Sequence, residues 1–197
     1  MDPERPVDIT FGQLTLAFVS FAAVIVWALL QPEFGPALDL GRTKLTIWAT
    51  TFLLTPALVL YLFRSADQRV ANLAHLFWLF AWLAFVVHAY WAVFIIFDGV
   101  ADTFRKMGIP ISSVNFLLVG VWTLDVLLLW TLRRPRSWLW KAQLGTRVFA
   151  FLTFAVTLVA LRGGTVRMLG LAFATIVIAA LLLRAWSHVR DDRTQQA

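Results

Sequence analysis

LFWLFAWLAFVVHAYWAVFIIF, Leu76 to Phe97, is a stretch of 22 residues without a single Asp, Glu, Lys or Arg. At 1.5 Å per residue it reaches about 33 Å as a helix, enough to cross the roughly 30 Å hydrocarbon core of a bilayer. Lipid offers backbone N–H and C=O groups no partner, so a run this long and apolar predicts a membrane-spanning helix, here from Leu73 to Phe97. His88 stands inside it, and a titratable ring there needs an explanation.

Composition extends the same reading to the whole chain. Sixty per cent of its 197 residues are apolar and 14% are charged, with a mean hydropathy of +0.78. A water-soluble domain needs about a quarter of its residues charged. The net charge of +6 comes from basic residues that fall between apolar runs, where they act as topology signals and anionic-lipid contacts rather than as a nucleic-acid surface. No cysteine is present, so disulfides, thiolate metal sites and cysteine nucleophiles are excluded within this sequence. The opening MDPERPVDIT lacks the basic region of a secretory signal, which makes the first apolar run a retained span.

Six runs qualify as spans: Phe11 to Leu30, Leu45 to Phe63, Leu73 to Phe97, Val114 to Leu132, Val148 to Leu161 and Met168 to Trp186. The fifth is short, since Arg147 and Arg162 bracket only fourteen residues, and snorkelling or a re-entrant hairpin would have to accommodate it. With both termini cytoplasmic, the inside segments hold eleven positive residues: Arg5, Arg64, Arg69, Arg133, Arg134, Arg136, Lys141, Arg147, Arg184, Arg190 and Arg193. The outside loops hold six, Arg42, Lys44, Arg105, Lys106, Arg162 and Arg167, so the positive-inside rule favours this orientation. The expected fold is all-α, a six-span helix bundle forming one membrane-embedded domain over residues 1–197, with 187–197 as a flexible cytoplasmic tail. The expected location is the inner (cytoplasmic) membrane.

Helical spacing puts Ala81, Ala84 and Ala92 on the face of His88, and small residues mark the side where another helix comes close. His88 is therefore expected to face protein, with a polar partner. Asp125, in VWTLDVLLLW of the fourth span, is the leading partner, directly or through a water or hydroxyl bridge. A carboxylate at helix centre costs about 2.5–3.5 kcal/mol on insertion scales, which marks it as a site candidate by default. Thr50, Thr55 and Tyr61 of the second span, Trp91 of the third and Trp122 of the fourth are further candidates for a buried polar, ligand or proton site. Pro56 removes one backbone hydrogen bond in the second span, which Thr51 or Thr55 can partly replace. Gln13 and Ser20 are weaker candidates of the same kind.

His75 and His188 are placed by topology at one membrane face, which permits a single bis-histidine haem b there, and aromatic richness also admits a quinone. No metal site is expected, since one histidine and one carboxylate are too few ligands for zinc. In DGVADTFRKMGIPISS, Asp102 can pair with Arg105 or Lys106, and Gly108 and Pro110 then end the segment. Gly170 and Ala174 form a small-xxx-small face, within the chain or against another subunit. No GxSG with a remote histidine, no HExxH and no histidine-rich cluster occurs, so the chain is not expected to be an enzyme by itself. The functional expectation is an integral membrane subunit or accessory factor of a larger assembly, with lipid, other membrane subunits or a second copy as partners. A small-molecule or proton-coupled transporter using His88 and Asp125 is the alternative, and a haem- or quinone-binding redox anchor is the second.

Overall fold

The computed structural model describes residues 6–30, 38–132 and 138–195. Arg5, Arg133, Arg134 and Arg136 of the orientation argument lie outside the described residues, as do the side chains of Arg190, Arg193 and the haem-ligand candidate His188. The elements are α1 (Phe11–Leu30), α2 (Leu38–Leu62), α3 (Gln68–Tyr90) continued by a π-helical segment (Trp91–Ile96), α4 (Val100–Met107), α5 (Ile109–Thr131), α6 (Leu139–Ala160) and α7 (Gly164–Gln195). Six of them are long and apolar enough to span a bilayer, and the described residues contain no strand.

Local chemistry sets the helix starts. Thr10 and Gln13 form a capping box: Thr10 Oγ1 accepts from the Gln13 backbone N–H at 3.3 Å, while Gln13 Oε1 accepts from the Thr10 N–H at 3.0 Å. Gln13 also donates to the Arg69 carbonyl, so this residue fastens α1 to the start of α3 rather than forming a site. Asn72 holds the preceding strand of chain, donating to the Val7 carbonyl at 2.7 Å and accepting from its N–H at 3.0 Å. Asp67 caps α3 through the Arg69 N–H. Gly108, at φ +82°, makes the break between α4 and α5 that the sequence predicts.

Neighbour relations define the architecture. α2 and α3 form the central antiparallel pair, and α1 lies along both. From α2 the contacts run to α7, from α7 to α6, from α6 to α5 and from α5 back to α3, which closes a five-helix ring. Gly170 is the tightest joint: a Cβ there would stand 2.5 Å from Leu158 Cβ. The small residue on α7 thus serves packing against α6 within the chain.

Several boundaries differ from the sequence reading: α3 begins at Gln68 rather than Leu73 and α5 at Ile109 rather than Val114, and α2, α6 and α7 differ as well. α2 begins at Leu38 rather than Leu45, because Arg42 and Lys44 sit on its first turns, where Arg42 donates to the Leu29 carbonyl at the end of α1. α6 is a full 22-residue helix, so neither thinning nor a re-entrant hairpin is needed. The short fifth span came from treating Arg147 as a loop residue, whereas its side chain is 3% exposed inside the bundle. α7 is helical to Gln195, through the segment read as a tail as far as it is described.

Candidate functional site

A polar cluster fills one end of the ring. Asp125 of α5 accepts a hydrogen bond from the Trp78 indole N–H of α3 at 2.7 Å. The same oxygen, Oδ2, lies 3.5 Å from Arg147 Nη1 of α6, and both side chains are 3% exposed. Arg147 Nη1 also donates to the Gln143 carbonyl at 3.0 Å. Its guanidinium covers the Tyr61 ring of α2 at 4.1 Å and the Trp78 ring at 4.7 Å. Arg64 lies 3.9 Å from the Tyr61 centroid. Four of the five ring helices therefore converge on one neutralised pair, and two aromatic faces replace water around the cation. A buried charge is tolerable only when paired, and Arg147 supplies what the carboxylate needs.

His88 is elsewhere. Trp78 and His88 are ten residues apart on α3, an axial separation of about 15 Å, which rules out the expected direct contact with Asp125. The His88 Nδ1 lies 2.9 Å from the Thr43 carbonyl and 3.3 Å from Thr46 Oγ1, both on α2. A carbonyl only accepts, so Nδ1 carries the proton, and in the neutral ring Nε2 is the acceptor. The expectation that His88 faces protein and finds a polar partner is met, with the threonine-bearing end of α2 in the place proposed for Asp125.

Between these two groups lie the aromatics. Trp122 packs on Trp78 with centroids 4.4 Å apart and the rings tilted by 31°, stacks on Phe85 at 5.6 Å, and meets Phe154 edge-on at 6.4 Å. It is wholly buried, and its indole N–H has no hydrogen-bond partner among the described residues. Phe85 and Phe154 in turn line a cavity of about 550 Å³ at the other end of the ring. All five ring helices contribute to its wall, with the π-helical segment and α4. Its apolar wall carries His88, Thr153, Thr157, Ser112 and Asn115, and its rim carries Lys44, Lys106 and Arg162. Asp102 engages Lys106 at 2.7 Å and Arg105 at 3.9 Å, as the spacing predicts. The π-helical turn brings Ala92, Val93 and Ile96 into the wall; such bulges in α-helices are frequent at functional sites.

The other sequence candidates separate. Tyr61 and Trp122 belong to the plug of rings and charges. Thr50 and Thr55 donate back to the carbonyls of Thr46 and Thr51, so their hydroxyls serve α2 itself, around Pro56. Trp91 reaches Asp39 at 3.4 Å on the outside of the bundle, and Ser20 back-bonds to Leu16. His75 is fully buried in α3. Arg147, Trp78, Lys44 and Arg162 were missed as site residues. For Arg147 a signal existed, because a lone mid-span carboxylate needs a cation and Arg147 borders an oddly short span. No group of three or more His, Cys, Asp or Glu suited to a metal occurs among the described residues. Neither a family model, nor a curated protein, nor a solved structure matches this chain.

Proposed function

We propose that this chain is an integral membrane carrier that takes a small amphipathic molecule into the ring cavity and passes it when the plug opens. The observation that carries the reading is a cavity of about 550 Å³ open at one end of a helix ring whose other end is stopped by stacked rings and an ion pair. The volume lies in the range of small-molecule sites, and a mostly apolar wall with a few convergent polar groups is their common character. A contact path joins the two parts, since Phe85 and Phe154 line the cavity, touch Trp122, and through it reach Trp78 and Asp125. Proton coupling through a His88–Asp125 pair has no contact to stand on. In its place the Asp125–Arg147 pair acts as the latch, and His88 acts as a ligand group.

The excess of arginine and lysine on the side of the α2–α3 and α5–α6 turns supports placing that face in the cytoplasm, so the cavity opens away from it. Membership in a larger assembly is compatible with this role: Leu182, Leu183 and Trp186 of α7 point outward, as contact with either lipid or a partner requires.

The absence of cysteine allows a direct test. With Asn115→Cys in the cavity wall, a membrane-impermeant maleimide reacts from the α4 side only. Adding Asp125→Asn weakens the latch, and reaction from the opposite side then appears. Labelling that stays one-sided in every latch variant would rule out passage and leave a ligand-holding membrane subunit.

A further inference from the structure

The cavity carries its own statement about the head of its ligand. Nδ1 of His88 is committed to the Thr43 carbonyl, so the nitrogen left for a ligand is an acceptor and asks for a donor, a hydroxyl above all. Three cations stand at the rim, yet Lys106 is engaged by Asp102 at 2.7 Å. Lys44 and Arg162 have no ion-pair partner among the described residues, so those residues give the mouth a net positive charge. No carboxylate lines the cavity among the described residues. The wall below, from Phe85 and Val93 to Phe154 and Leu158, is apolar and suits a hydrocarbon body.

Resting on the ligand-holding reading above, we propose that the cavity selects an amphipathic anion with a hydroxyl beside its charge, the hydroxyl donating to His88 Nε2 and the charge drawn to Lys44 and Arg162. A glycerophosphate lipid is the membrane-resident member of this class. A neutral lipid leaves the cations unmatched, and an anion without a hydroxyl leaves the histidine acceptor unmatched. Two features of one head group are thus read by two separate parts of the wall.

Native mass spectrometry of the purified full chain, with lipids competing against neutral detergent, tests each part. Phosphatidylglycerol binds once per chain, and phosphatidylcholine binds about tenfold more weakly or worse. Phosphatidylmethanol, which keeps the phosphate charge and lacks the hydroxyl, falls between them. Lys44→Ala with Arg162→Ala removes the preference for phosphatidylglycerol over phosphatidylcholine. His88→Leu removes its preference over phosphatidylmethanol, and His88→Phe, which keeps a ring of similar size and has no acceptor nitrogen, serves as a second variant should the leucine form fail to fold. Equal binding of the three lipids by the unaltered chain, or preferences untouched by these substitutions, would overturn the assignment. Binding of glycerol 1-phosphate as tight as that of the lipid would equally overturn it, because no amphiphile would then be needed.

Failure of the ligand class is separable from failure of the cavity. Ala92→Phe and Val166→Phe each intrude on the cavity from a different element. If both abolish the binding of every lipid while the lipid ranking is flat, the cavity reading stands and the proposed head group is wrong. Saturable binding at unaltered affinity in both would remove the cavity reading and the ligand class together.

Discussion

Asp125 keeps its place in the bundle through two donors, the Trp78 indole at 2.7 Å and the Arg147 guanidinium at 3.5 Å. Breaking one side of a buried pair strands the other, at a cost of about 3–5 kcal/mol, whereas replacing both with apolar groups of similar size is often neutral. Asp125→Leu and Arg147→Met alone are therefore expected to lower the melting temperature in mild detergent sharply, and the double substitution to restore most of it. Similar melting of all three variants would show that the pair carries no such linkage. Trp78→Phe, which keeps a ring for Arg147 and deletes one charge-assisted hydrogen bond, is expected to cost about 1.5–3 kcal/mol in the same measurement. Asp125 was legible in the sequence as a mid-span carboxylate. Its partners were not: Trp78 looks like one more aromatic in a run of them, and Arg147 looks like a boundary. Helix rotation in three dimensions decides which side chains meet, and spacing along one span cannot supply it.

At the scale of the element, α6 and α7 meet at a glycine. Gly170→Ala places a Cβ about 2.5 Å from Leu158 Cβ and 3.0 Å from its backbone carbon, so the helices must move apart. Overpacking of this kind costs about 1–3 kcal/mol, and Leu158→Ala in the same chain is not expected to recover it, because alanine keeps both the Cβ and the backbone carbon that the new methyl meets. A thermal melt of the single and double variants measures this, and an unperturbed single variant would show that the joint is loose. The small-xxx-small pattern could be read in the sequence, but the identity of the partner helix could not. α2 teaches the same lesson from its polar residues. Thr50 and Thr55 looked like cavity groups, yet near Pro56 their hydroxyls turn back to the helix carbonyls.

For the whole molecule, the test of the six-span proposal is that the α2–α3 turn and the α4 turn lie on opposite faces of the membrane. Ser65→Cys, in the α2–α3 turn, and Asp98→Cys, beside α4, are expected to label with an impermeant maleimide from opposite faces of an oriented vesicle. Labelling of both from one face would break the six-span arrangement. With Arg147 in the bundle, the sequence count for the α2–α3 side falls from eleven basic residues to ten, against six for the other side.

Length, apolarity and the spacing of charges determined by themselves that this chain is helical, how many long apolar helices it has and roughly where each lies, because a bilayer imposes one length and one way of satisfying the backbone. They also marked His88 and Asp125 as groups needing partners. Only the tertiary structure decided which partners those are. It gave His88 to α2, gave Asp125 to Trp78 and Arg147, and opened a cavity between the helix ends. The physical reason is that an apolar helix face fits many neighbours about equally well, so sequence leaves its rotation free. That rotation becomes fixed only when a few buried polar groups and one close glycine contact are satisfied together.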